Sequence, residues 1–200
     1  MLPAVIFFAV FIAYPVIFNI YIGFTEWSGL GEPVWKGLAN YKKVLTDPAF
    51  GTVLKNFVFI TGAFVILDCA LGMVIAAVIK MGLKISGLAK VLIYLPLVLS
   101  PVIIGYTFRL LLEANNGIVN VLLRKMGLEK LTRQWLIDPD IVLFVLLFIL
   151  LWQGVGFAMI LYIAGISGIP SSVYEAARID GAGEVAQFFY ITVPLLRYRS

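Results

Sequence analysis

Histidine is absent from this 200-residue chain, and cysteine occurs once, at Cys69. A metal site with several Cys or His ligands, a His-based catalytic triad and an intrachain disulfide are thereby excluded. No G-x-x-x-x-G-K-[ST] run occurs, so the chain carries no P-loop cradle for nucleotide phosphates. Charge is also scarce, at 13% of residues against about 25% in ordinary soluble domains. The net charge of +4 comes from fifteen Lys and Arg scattered between apolar runs, which argues against a nucleic-acid patch. Upstream of Lys36 there is no Lys or Arg, so the basic start of a signal peptide is missing and the opening apolar run reads as a membrane span. These absences predict a chain that is no enzyme and holds no cofactor or metal.

What is present is apolar: 62% of residues are hydrophobic and the mean hydropathy is +1.03. Crossing a hydrocarbon core of about 30 Å takes roughly 20 helical residues. Four stretches qualify, at about 2 to 24, 56 to 79, 89 to 112 and 141 to 166. They are continuously apolar rather than alternating, which excludes a membrane β-barrel. The expected fold is all-α, a polytopic transmembrane helix bundle of four spans in a single domain over 1 to 200, followed by a polar helix-turn-helix at 170 to 194. Pro96 and Pro101 each remove a backbone donor from the third span and predict a kink or local unwinding. Trp27 and Trp35, in the polar segment 25 to 55, suit a head-group belt.

The connection 80 to 88 is short and basic, with Lys80 and Lys84 and then Lys90 just beyond. If it is cytoplasmic, so is the segment after the fourth span. The two faces carry eight and six basic residues, the larger number on the side of loops 25 to 55 and 113 to 140, so density and raw count point opposite ways.

Pro170 ends one segment, Ser171 or Ser172 can cap a new helix, and Ser172 with Glu175 has the spacing of a capping box, predicting a helix from about 172 or 173. Glu175 and Arg178 are spaced as a surface ion pair, and Ala176 and Ala177 leave a shallow face. Gly181 suits the left-handed residue that ends a helix. A second helix over about 183 to 191, with Val185, Phe188, Phe189 and Ile191 on its apolar side, would then stop before Pro194. By periodicity alone the segment reads equally as an amphipathic helix resting in head groups.

Glu175, Ala176, Ala177, Gly181, Ile191, Val193 and Pro194 together resemble the EAA motif of permease subunits of bacterial ABC importers. Val193 replaces the usual leucine. The flanks, Ala164-Gly165-Ile166, Ile169-Pro170 and Ile179-Asp180-Gly181-Ala182, are similar to the oligosaccharide and glycerol-phosphate branch. Upstream, Tyr14-Pro15, Gly37-Leu38-Ala39-Asn40-Tyr41 and Leu95-Pro96 extend the resemblance over nearly the whole chain. It implies that Glu175, Ala176, Ala177, Asp180, Gly181 and Pro194 couple the spans to an ATP-binding subunit, with the motif on the cytoplasmic side of a bacterial plasma membrane. It further implies a second permease subunit, a dimer of ATP-binding subunits, an extracytoplasmic solute-binding protein and a sugar substrate. The family core has six spans, so the chain reads as a fragment or a truncated, nonfunctional product.

Asp68 falls in the middle of an apolar span, where an ionised carboxylate costs about 2.5 to 3.5 kcal/mol on insertion scales. It either lines a path for polyols or pairs with a hydroxyl or cation on a neighbouring span. Trp152 and Gln153, beside Gly154 and Gly156, offer a stacking ring and an amide to a sugar, or simply a close helix contact. Arg109 and Glu113 are expected to form an ion pair. An alternative is an ion-coupled secondary transporter with Asp68 as the ion site.

Overall fold

The structure, a computed structural model, describes residues 2–80 and 87–199. Lys84 of the basic connection lies outside the described residues. The chain divides into two units, Met1–Val58 and Phe59–Ser200.

In the first unit, helix α1 occupies Leu2–Gly23 with none of its apolar stretch buried within the chain. A π-helical turn, Ala9–Ala13, precedes Pro15. The widened turn accommodates a ring that has no N–H and would otherwise collide with the carbonyl four residues back. The polar segment then makes a small hairpin, β1 Thr25–Glu26 and β2 Val34–Trp35, with Thr25 opposite Trp35 and Glu26 opposite Val34. Asn40, on α2 (Ala39–Leu45), donates its amide to the carbonyls of Gly23 at 3.0 Å and Thr25 at 2.7 Å. Phe24 stacks on Trp35 and leans on Tyr41, so the hairpin is closed by rings rather than by strand length.

Helix α3, Pro48–Lys80, starts earlier than the apolar pattern suggests. Asp47 explains the early start: its carboxylate accepts the Ala49 N–H at 2.8 Å, and Pro48 needs no donor at the first helical position.

In the second unit, α4 (Gly87–Val98) and α5 (Pro101–Leu111) meet at 100°. The third apolar stretch is therefore a sharply broken span or a re-entrant pair, a larger break than a kink. Ser100 is extended, as the residue before a proline prefers, and the missing Pro101 donor falls in the first turn of α5, where no helical partner is needed. After α6 (Ile118–Lys125) and a 3-10 turn at Glu129–Leu131, α7 runs over Val142–Ser167.

Small residues let these helices touch. A Cβ on Gly72 would lie 2.5 Å from the Ala158 Cβ, and one on Gly156 2.6 Å from the Ile93 carbonyl. The buried apolar set, including Ala76, Ala77, Ala158, Met159 and Ile166, is correspondingly thin, and many large apolar side chains of the spans are exposed, as lipid contact requires.

The segment joining α5 to α7 is organised by Asn120, which is 1% exposed. It donates to the carbonyls of Ala114 and Arg133, each at 2.9 Å, and accepts from the Trp135 indole at 2.8 Å. The expected Arg109–Glu113 pair does not form. The Glu113 carboxylate turns instead to the backbone N–H groups of Asn116 and Asn115, which hold its pKa below the ordinary value. The chain leaves α5 at this point, so those free amides compete successfully with a guanidinium one helical turn away.

Candidate functional site

The polar segment after α7 forms two helices joined by a tight turn. Helix α8 spans Ser171–Ile179, with extended Pro170 in the capping position. The predicted capping box is absent: no side chain caps this helix. Because the extended Pro170 backbone starts the helix at Ser171, Ser172 lies inside the first turn instead of at its boundary. At the far end Gly181 adopts φ +82°. Its N–H donates to the Arg178 carbonyl at 3.0 Å, and the Ala182 N–H donates to the Ala177 carbonyl at 2.8 Å. This pair of bonds and the left-handed glycine form the stop the sequence predicts.

The second helix does not end before Pro194. Helix α9 comprises Glu184–Gln187, a π-helical turn at Phe188–Thr192 and a continuation over Val193–Arg199. The π turn ends two residues before Pro194, the same offset as in α1, and has the same cause: it absorbs the missing proline donor and lets the helix run on.

Three side chains outside the predicted coupling set fasten this pair. Gln187 and Thr192 are buried, at 6% and 5% exposure. The Gln187 amide donates to the Ala182 carbonyl at 2.7 Å. The Thr192 hydroxyl donates to the Gln187 carbonyl at 3.3 Å and lies 3.0 Å from the Tyr174 hydroxyl. A cleft of about 320 Å³ opens beside these groups, with Lys80, Glu175, Arg178 and Glu184 on its walls.

Glu175, Ala176, Asp180, Gly181 and Pro194 are exposed, and Ala177 is half-buried. The first five residues of the predicted set, Glu175 to Gly181, lie together on α8 and its terminating turn. Pro194 sits apart, within α9. Among the described residues Glu175 and Arg178 do not form an ion pair; the pairs present are Lys36–Glu26 at 3.0 Å and Arg133–Asp138 at 3.4 Å.

Within the spans, Asp68 faces Gly154 of α7: a Cβ there would lie 3.1 Å from Asp68 Oδ1 and 3.0 Å from the Phe64 ring. This oxygen is buried and has no hydrogen-bond partner among the described residues. Trp152 packs edge-on against Phe108 of α5, with ring centres 5.5 Å apart. Gln153 is half-buried. Successive helical residues point about 100° apart, so Trp152, Gln153 and Gly154 leave α7 in different directions and the first two do not converge on Asp68.

Residues 68–197 match the family described as the binding-protein-dependent transport system inner membrane component. A probable ABC transporter permease of Pyrococcus horikoshii is 36% identical over 197 residues, covering 98% of this chain and 68% of that protein. The chain belongs to this permease family. The permease is also 30% identical to the xylose/arabinose import permease XacH of Haloferax volcanii, over 92% of this chain and 58% of that one. Its fold superposes with a TM-score of 0.81 and 25% identity on the crystal structure of a bacterial ABC transporter involved in import of the acidic polysaccharide alginate, over 98% of this chain and 65% of that chain. The permease thus spans between 58% and 68% of the length of these proteins. The matched residues run from Asp68 through α8 and most of α9. The permease is a multi-pass membrane protein, and none of these likenesses points to an ion-coupled transporter.

Proposed function

We propose that this permease is one subunit of an ATP-driven sugar importer and that the α8–α9 pair is its seat on a cytoplasmic ATP-binding subunit. The observation that carries this reading is the form of that pair: a short helix ended by Gly181, with Ala176, Glu175 and Asp180 turned outward. Small side chains allow close approach, and a fastened turn transmits displacement instead of absorbing it. Gly181 supplies the sharp end of the lever, and Pro194, by way of the π turn, shapes the helix that carries motion back toward the membrane. In this arrangement a dimer of ATP-binding subunits supplies the energy, a second permease completes the path, and an extracytoplasmic solute-binding protein delivers the sugar. The membrane is a bacterial plasma membrane, with 80 to 88 and 170 to 194 on its cytoplasmic face.

Sugar import is supported by the relatives that handle xylose, arabinose and alginate. Asp68, Trp152 and Gln153 are the proposed contacts with the path. The unpartnered Asp68 oxygen is suited to accept from a polyol hydroxyl, because a buried acceptor without a donor is costly until one arrives. Trp152 offers a ring face and Gln153 an amide at other points of the same region. The assembled full-length transporter in proteoliposomes tests this: sugar uptake is expected with ATP enclosed with its ATP-binding subunits and every ion gradient collapsed. Uptake driven by an ion gradient without ATP, and abolished by Asp68→Asn, would instead establish the ion-coupled mechanism.

A further inference from the structure

Resting on the coupling role proposed above, we infer that Tyr174, Thr192 and Gln187 are positioning residues that make α8 and α9 a single lever, with the Tyr174–Thr192 bond as its closing link.

The direction of each bond follows from its chemistry. The Gln187 carbonyl can only accept, so all three groups are bonded at once when the Thr192 proton goes to it. The Thr192 oxygen is then the acceptor for Tyr174, whose hydroxyl donates across 3.0 Å. From Gln187 the side-chain amide continues to the Ala182 carbonyl at 2.7 Å, and the Ala182 N–H returns to the Ala177 carbonyl of α8 at 2.8 Å. The bonds therefore close a ring from α8 through α9 to the turn and back to α8. Thr192 and Gln187 are both buried, so water does not readily replace a broken link.

The ring also explains why a π turn is tolerated here. A π turn and a proline together weaken the helical ladder next to the junction that has to carry force. Thr192 ends the π turn, and through its hydroxyl it ties that turn to both Gln187 and the coupling helix. With the link absent, α8 could tilt on the Gly181 turn without moving α9, and ATP hydrolysis would proceed with less transport.

Tyr174→Phe and Thr192→Val, each made in the assembled full-length transporter in proteoliposomes, are expected to lower sugar moved per ATP hydrolysed by about two- to tenfold, the range set by loss of one hydrogen bond. The double variant is expected to be no worse than either single one, and Thr192→Ser is expected to keep the normal ratio. A normal ratio in both single variants overturns the inference, as does a lowered unfolding temperature in detergent with the ratio unchanged. If Thr192→Val does not accumulate as folded protein, the near-isosteric Tyr174→Phe carries the test alone. Gly181→Val serves as the reference: if it uncouples while Tyr174→Phe does not, only the closing link fails. If it too keeps the normal ratio, the coupling role itself fails and the inference falls with it.

Discussion

Gly181 holds φ at +82° with no atom within 4 Å of the place a Cβ would occupy. Space is therefore not what requires glycine here; backbone conformation is. A β-branched residue resists positive φ, whereas asparagine tolerates it at modest cost. Gly181→Val should leave the protein in the membrane and the ATPase running while sugar transport falls at least tenfold, since bending of the turn costs more than about 1.4 kcal/mol at this position. Gly181→Asn should retain most transport. Paired transport and ATPase assays separate this account from simple crowding, which would harm both variants. Gly181 was legible because a left-handed stop has a strong residue preference. The Ser172 to Glu175 box has the right spacing and is still wrong, since Pro170 caps the helix and sets its start two residues too early for it. Tyr174, Gln187 and Thr192 were not legible as a group, because their partners are set by the return angle of a turn and not by a local pattern.

The transmembrane helices approach through glycines that meet backbone. On Gly156 a Cβ would lie 2.6 Å from the Ile93 carbonyl oxygen and 2.9 Å from the Tyr94 Cα, and neither can move aside like a side-chain tip. Gly62 of α3 faces open space. Gly156→Val should therefore sharply reduce the yield of folded protein recovered from membranes, whereas Gly62→Ala should be neutral or stabilise by up to about 1 kcal/mol, as helix propensity predicts. Size-exclusion profiles and thermal unfolding in detergent would distinguish the two. Apolar length and continuity made all-helical spans legible, and the prolines announced a disturbance at 96 to 101. The 100° angle between α4 and α5 was not legible, because a proline pair marks where a helix can break without setting the direction in which it resumes. The hairpin at Thr25–Trp35 escaped for a related reason: two-residue strands carry no alternation, and rings and Asn40 hold them instead.

On the scale of the whole molecule, the spans are apolar, and after them the short helix α8 is followed by a helix, Glu184–Leu196, that is itself apolar. In the proposed role the permease receives energy by contact, and the outward face of α8 is the assigned contact surface. The most direct test is cross-linking from Ala176→Cys, in a Cys69→Ser background, within the assembled full-length transporter. The expected result is a specific cross-link to the ATP-binding subunit whose yield changes between nucleotide-free and ATP-bound states, with Ile137→Cys giving none. No cross-link from Ala176→Cys to that subunit in either state, in a transporter that still takes up sugar, would contradict it.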